Sequence, residues 1–116
     1  MTVLYGISNC DTVKRARQWL VEHGVAHEFH DFRKLGVPAE RLARWVGVAG
    51  WERLLNRKGT AWRALDAARQ AVVVDAESAQ AVMREAPSTI KRPVVEWDDG
   101  RTTVGFDPES WAAGLG

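Results

Sequence analysis

The first thirty-two residues change hydrophobic period twice, and this limits the folds open to the chain more than any total does. Val3, Leu4, Tyr5 and Ile7 crowd into "TVLYGI", residues 2–7, as in a short buried strand. Gly6, Ser8 and Asn9 then loosen the backbone. From residue 11, Val13, Ala16 and Leu20 recur at i, i+3 and i+7, a helical stripe whose other face is filled by Lys14, Arg15, Arg17 and Gln18. Gly24 stops this helix, and "VAHEFHDF", residues 25–32, reads as a second strand. Strand, helix and strand with so short a return pack as a βαβ unit with parallel strands.

The middle of the chain has a different rhythm. Pro38 suits the first turn of a helix, where its missing N–H costs little. Leu42, Trp45, Val46 and Ala49 follow on one helical face, with Gly50 as the stop. "WERLLNRKG" predicts another short helix closed by Gly59. Thr60 is placed to cap "AWRALDAARQAV", and Asp75 to cap a helix with Ala76, Ala79, Val82, Met83 and Ala86 on one face. Residues 38–86 thus read as helical, without a convincing strand. After Pro87 the pattern returns to strands: an apolar run at Val94–Trp97, a hairpin signal in "DDG", and a partner strand in "RTTVGF". "DPESWAAGL" predicts a terminal helix with Asp107 as N-cap and Pro108 at its first position. The expected fold class is α/β: one domain with a four-stranded mixed sheet, core about residues 1–33 and 87–116, and a helical insertion of about 34–86.

Totals matter mainly for what they exclude. A chain of 116 residues with 46% hydrophobic and 27% charged residues can bury one core without staples. A net charge of +1 gives no general reason to expect nucleic acid or a membrane surface as partner. No apolar stretch approaches the ~20 residues of a membrane-spanning helix. No basic leader precedes the first strand, so no signal peptide is expected. The chain has one cysteine, which rules out an internal disulfide and a cysteine-based zinc site, and makes a reducing cytoplasm the expected location. His27 and His30 would point to opposite faces of a strand, so no metal site is expected.

That cysteine, Cys10, stands where strand gives way to helix. The sulfur nucleophile is a thiolate, and little of an ordinary cysteine is ionised at neutral pH. A helix N-terminus supplies unpaired N–H groups and the positive end of a dipole, which favour the thiolate. Lys14 and Arg15, one turn on, add to that field, and Asp11 opposes it. A lone cysteine in this position also serves as an inert small apolar side chain, so position alone leaves both roles open. Two further segments carry positive charge beside backbone breaks. In "TIKRPVV", Lys91 and Arg92 precede Pro93, where an extended residue is expected and a cis bond is open. In "LLNRKGTAW", Arg57 and Lys58 adjoin Gly59. Arginine forks match carboxylates and tetrahedral oxyanions. Taken singly, each of these arginines is better read as a solvated surface charge.

In their order along the chain, "LYGISNCDTVKRARQWL", "HDFRKLG", "ERLLNRKGTAWRAL", "PSTIKRPVV" and "VGF" resemble the arsenate reductase-like family, the ArsC/Spx group of thioredoxin-fold proteins. Within it the chain is most similar to the small YffB-like proteins described as glutathione-dependent thiol reductases. The resemblance implies a thioredoxin-like core with an inserted helical subdomain, Cys10 as nucleophile, and a cis peptide before Pro93. It implies that Arg57 and Arg92 line an anion site facing the sulfur, and that the cis-proline loop pairs with the backbone of glutathione or a peptide. The implied site is Cys10 with Asn9, Lys14, Arg57 and Arg92 as substrate- or anion-binding residues, and Pro93 as their structural neighbour.

The departures from the family pattern are specific. A third arginine late in the chain is replaced by Gly105. A histidine shortly before the cysteine is replaced by Gly6 or Ile7, and a small hydroxyl residue three positions after it by Val13. These argue against efficient arsenate reduction, and Val13 excludes a Cys-x-x-Cys switch of the Spx type. The resemblance therefore implies a monothiol reductase with no bound cofactor, resolved by glutathione or glutaredoxin and acting on a small-molecule or protein disulfide. Arsenate reduction proper, and an Spx-like regulator that binds RNA polymerase, are the alternatives.

Overall fold

The computed structural model describes residues 1–115. In chain order its elements are β1 (Thr2–Gly6), α1 (Asp11–Glu22), β2 (His27–Asp31), α2 (Phe32–Leu35), α3 (Ala39–Ala49), α4 (Trp51–Leu54), α5 (Thr60–Arg63), α6 (Ala67–Ala71), α7 (Ala76–Glu85), β3 (Val94–Glu96), β4 (Thr102–Val104) and α8 (Pro108–Leu115). They divide into two compact units: Met1–Asp31 with the chain from Arg92 on, and Phe32–Lys91.

The first unit is a four-stranded mixed sheet in the order β2-β1-β3-β4, the thioredoxin-like arrangement that the resemblance implies. β1 and β2 are parallel, with Leu4 opposite Phe29 and Tyr5 opposite His30. β3 is antiparallel to β1, with Leu4 opposite Val95 and Tyr5 opposite Val94, and β4 is antiparallel to β3. Because side chains alternate along a strand, Leu4 and Val95 share one face. There they pack with Val13, Ala16, Trp19 and Leu20 of α1 and Trp111 of α8. The Trp111 ring meets those of Trp19, Trp97 and Phe106 edge-on, at 5.4, 5.0 and 4.8 Å. Such edge-to-face pairs gain about 0.5–1.5 kcal/mol each beyond their burial.

β2 starts later than the apolar run suggests, because α1 needs Val25 for its own ending. The Val25 N–H donates to the Leu20 carbonyl at 2.9 Å and the Gly24 N–H to Val21 at 3.1 Å, a Schellman motif with Gly24 at φ 66°. The "DDG" turn closes as expected: the Gly100 N–H donates to the Trp97 carbonyl at 3.0 Å, with Gly100 at φ 90°.

The second unit holds the helical block, and its boundaries differ from expectation in four places. Pro38 caps α3 from outside rather than lying in its first turn. α4 ends at Leu54, not at Gly59, because Leu55 turns extended and bridges Ile90, so the block contains a β-bridge. Leu55 and Ile90 are both buried, and the Asn56 N–H reaches the Thr89 carbonyl at 2.8 Å. The segment "TAWRALDAARQA" is two short helices, since Asp66 accepts from the Arg69 N–H at 2.7 Å and so caps a new start. Thr60 is the first residue of α5 rather than its cap. Asp75 caps α7 as expected, in a capping box in which Ser78 returns a bond.

Candidate active site

The loop after β1 places Cys10 as the N-cap of α1, in extended conformation. Its carbonyl accepts the first intrahelical bond, from the Lys14 N–H at 2.9 Å, and its own N–H donates to Ile7 at 3.2 Å. The N–H groups of Asp11, Thr12 and Val13 therefore precede the first intrahelical donor and aim toward the end of the helix where Cys10 sits. Cys10 makes no side-chain capping bond. It is half-buried and lies against the apolar cluster of the sheet, whereas Ser8 and Asn9 before it are exposed. Lys14 is exposed on α1, and the Arg17 guanidinium lies 4.1 Å from the Phe29 ring centre.

The sheet register brings a second candidate segment to the same end of the sheet. β1 runs out at Gly6 toward Cys10, and β3 begins at Val94, opposite Tyr5. Pro93 immediately precedes Val94, so the cysteine loop and the proline loop share one sheet end. The Arg92–Pro93 peptide is cis. The Pro93 carbonyl accepts from the Gly105 N–H at 2.8 Å, which ties the loop after β4 to the same place. Arg92 is half-buried, and its Nε atom is buried without a hydrogen-bond partner. A buried guanidinium N–H without an acceptor is a costly arrangement.

Arg57 lies in the other unit. It is exposed, with its guanidinium 5.4 Å from the Trp51 ring centre. It follows Asn56, whose Oδ1 accepts from the Lys58 N–H at 3.3 Å and so shapes the turn.

The departures from the family pattern have local explanations. Gly105 adopts φ 87°, a conformation that strains any side chain, so an arginine at this position would need a different backbone. Gly6 and Val13 are complementary. A Cβ at Gly6 would lie 2.7 Å from Val13 Cγ2, so the valine methyl fills the space that a larger residue would claim. In sequence the two positions are separate substitutions; they meet only once α1 packs on β1.

The three histidines are engaged separately. His23 stacks on Trp19 at 3.8 Å, His27 Nδ1 lies 2.8 Å from the Val25 carbonyl, and His30 contacts the Tyr5 ring at 4.9 Å. Among the described residues no three His, Cys, Asp or Glu side chains converge as a metal site, and no helix is long and apolar enough to cross a membrane. Two carboxylates titrate below their ordinary range, one in each unit. Asp75 is held below the usual range by the Ser78 N–H and hydroxyl, and Asp99 by the Arg101 backbone N–H and then its guanidinium.

Comparison with known proteins agrees with this fold. The model of the ArsC family matches residues 5–113. The chain is 49% identical to a YffB protein of known structure, each chain covered completely, with a TM-score of 0.93. It is 46% identical to an arsenate reductase-related protein from Brucella melitensis, over 98% of this chain and 93% of that one, with a TM-score of 0.74. It is also 28% identical to the global transcriptional regulator Spx of Streptococcus agalactiae, over 99% of this chain and 83% of the regulator.

Proposed function

This chain belongs to the ArsC family, and we propose that it is a thiol reductase working through one nucleophilic cysteine, Cys10, with glutathione, alone or through glutaredoxin, as external thiol. The observation that carries this reading is the placing of Cys10 as N-cap of α1, at the sheet end shared with Pro93 and with the unpartnered Nε of Arg92.

The reacting form of the Cys10 sulfur is its thiolate. That thiolate attacks one sulfur of a substrate disulfide. An S–S bond forms at Cys10 as the substrate bond breaks, and the other sulfur leaves as thiolate. With no second cysteine in the chain, the mixed disulfide is opened from outside. A glutathione thiolate attacks it, Cys10 leaves as thiolate, and the mixed disulfide of glutathione and substrate is released. Arg92 holds a carboxylate of the thiol donor or an anionic substrate, with Asn9 and Lys14 on the same loop and helix. Arg57 takes the same anion-binding role on the strength of the family resemblance. The backbone beside Pro93 pairs with the donor's peptide groups. Arsenate reduction is the narrower alternative, and the backbone of Gly105 counts against it.

The test is reduction of a small disulfide by glutathione, with and without glutaredoxin. Cys10→Ser is expected to fall to the uncatalysed background, and Arg92→Gln to raise KM for the anionic partner about tenfold. A Cys10→Ser protein as active as wild type would overturn the proposal. The similarity to Spx favours a second reading, a regulator that contacts RNA polymerase without using the thiol. Co-purification with RNA polymerase that survives Cys10→Ser would select it.

A further inference from the structure

The near-neutral total hides a separation of charge. Residues 32–91 carry eleven basic and six acidic side chains, a net of +5, whereas the rest of the chain carries five basic and nine acidic, a net of −4. The excess positive charge in the helical unit includes a group around one cleft. Arg53, Arg57, Lys58 and Lys91 line a cavity of about 270 Å³, with Glu52 as its one acidic wall and Asn56 beside it. Leu55 also lines it, and its bridge to Ile90 is flanked by bonds from the Asn56 N–H to Thr89 and from the Lys91 N–H to Leu54, each 2.8 Å. All four cations are exposed. Among the described residues none of them forms an ion pair, whereas Arg69 is paired with Glu85 at 2.8 Å and Arg101 with Asp99 at 2.7 Å. Four unneutralised cations around one concavity repel each other, and an anion with several charged groups relieves them together.

We infer that this cleft is a binding site for a compact polyanion, a small molecule bearing two or more carboxylate or phosphoryl groups. The main-chain N–H groups of residues 56–59 are already bonded, that of Asn56 to Thr89 and the others within the turn, so recognition falls to the side chains. Arginine forks and point-like ammonium groups together accept planar carboxylates and tetrahedral phosphates, so both sources of negative charge fit. Only Arg57 enters the reductase reading; Arg53, Lys58 and Lys91 carry the site independently of Cys10.

The experiment is calorimetric titration of the full-length protein with citrate, pyrophosphate and inorganic phosphate, repeated with amide chemical shifts as the readout. The expected result is saturable binding of citrate or pyrophosphate, at least about tenfold tighter than phosphate, with shifts confined to residues 53–59 and 91. The tighter of the two identifies carboxylate or phosphoryl as the preferred group. Lys91→Gln and Arg53→Gln should each weaken binding about tenfold, while Arg84→Gln, which removes the same charge elsewhere in the unit, should change it less than about twofold. Absence of saturable binding, or equal weakening by Arg84→Gln, would overturn the inference. Amide spectra of each variant report whether it has folded, and reductase activity plays no part in the readout.

Discussion

The sheet unit is held by long-range contacts between a few large rings, while the helical unit is assembled from short helices started by local caps. In the first, Trp111 of α8 joins Trp19 of α1, Trp97 beyond β3 and Phe106 beyond β4, residues from distant parts of the chain. In the second, only α3 and α7 exceed five residues, and Asp66 and Asp75 start helices through bonds to N–H groups three residues on. Such short helices are not stable alone and depend on the burial of Trp45, Leu54, Val82 and Met83. The difference bears on function. A loop whose position is fixed by sheet register suits a nucleophile that must be held in place. A set of capped turns displaying charge suits a binding surface.

Removal of one tryptophan ring from each unit tests this contrast. Trp111→Ala should cost about 3–5 kcal/mol in urea denaturation, since the ring is 3% exposed and meets three others. Trp62→Ala in the helical unit removes a half-buried ring and should cost about 1–2 kcal/mol. Equal losses would erase the distinction. An effect smaller than that of Trp111→Ala is expected at the cysteine loop. Gly6→Ala forces a methyl against Val13 and should cost about 1–3 kcal/mol, with the double variant Gly6→Ala/Val13→Ala less destabilised than the sum of the two. Simple additivity would show that the two residues do not share one space.

The smallest effect is a dependence on pH that each unit carries through one exposed carboxylate. Asp75 and Asp99 have pKa values below the ordinary range in the folded chain. Their stabilisation is therefore fully present above the unfolded value of about 3.9 and is lost as pH falls through the lower folded value. The melting temperature of Asp75→Ala should accordingly lie slightly below that of wild type at neutral pH, and the two should converge in acid. A gap that widened on acidification would contradict the assignment.

Much of this architecture is legible in the residues. The change of period between residues 7 and 11 and the turn signals at Gly24 and "DDG" mark out the strands and the parallel βαβ unit, whereas the order of strands in the sheet follows only from their pairing. The end of α4 is not legible, because Leu55 is drawn into a bridge by Ile90, thirty-five residues away, and local propensity contains no trace of that partner. The division at Asp66 was readable as a capping aspartate but lay inside an unbroken apolar rhythm. Around the site, Cys10 and Pro93 stand out in sequence. Their shared position at one sheet end follows only from the pairing of Tyr5 with Val94, and the fit of Gly6 to Val13 only from the packing of α1 on β1.

That the sheet unit carries a nucleophilic sulfur is tested most directly by intact-mass measurement of the protein after incubation with oxidised glutathione. The expected product is one glutathione moiety per chain, located at Cys10 by peptide mapping and removed by excess reduced glutathione. A Cys10 that stays unmodified under conditions that modify an unfolded control would contradict the claim.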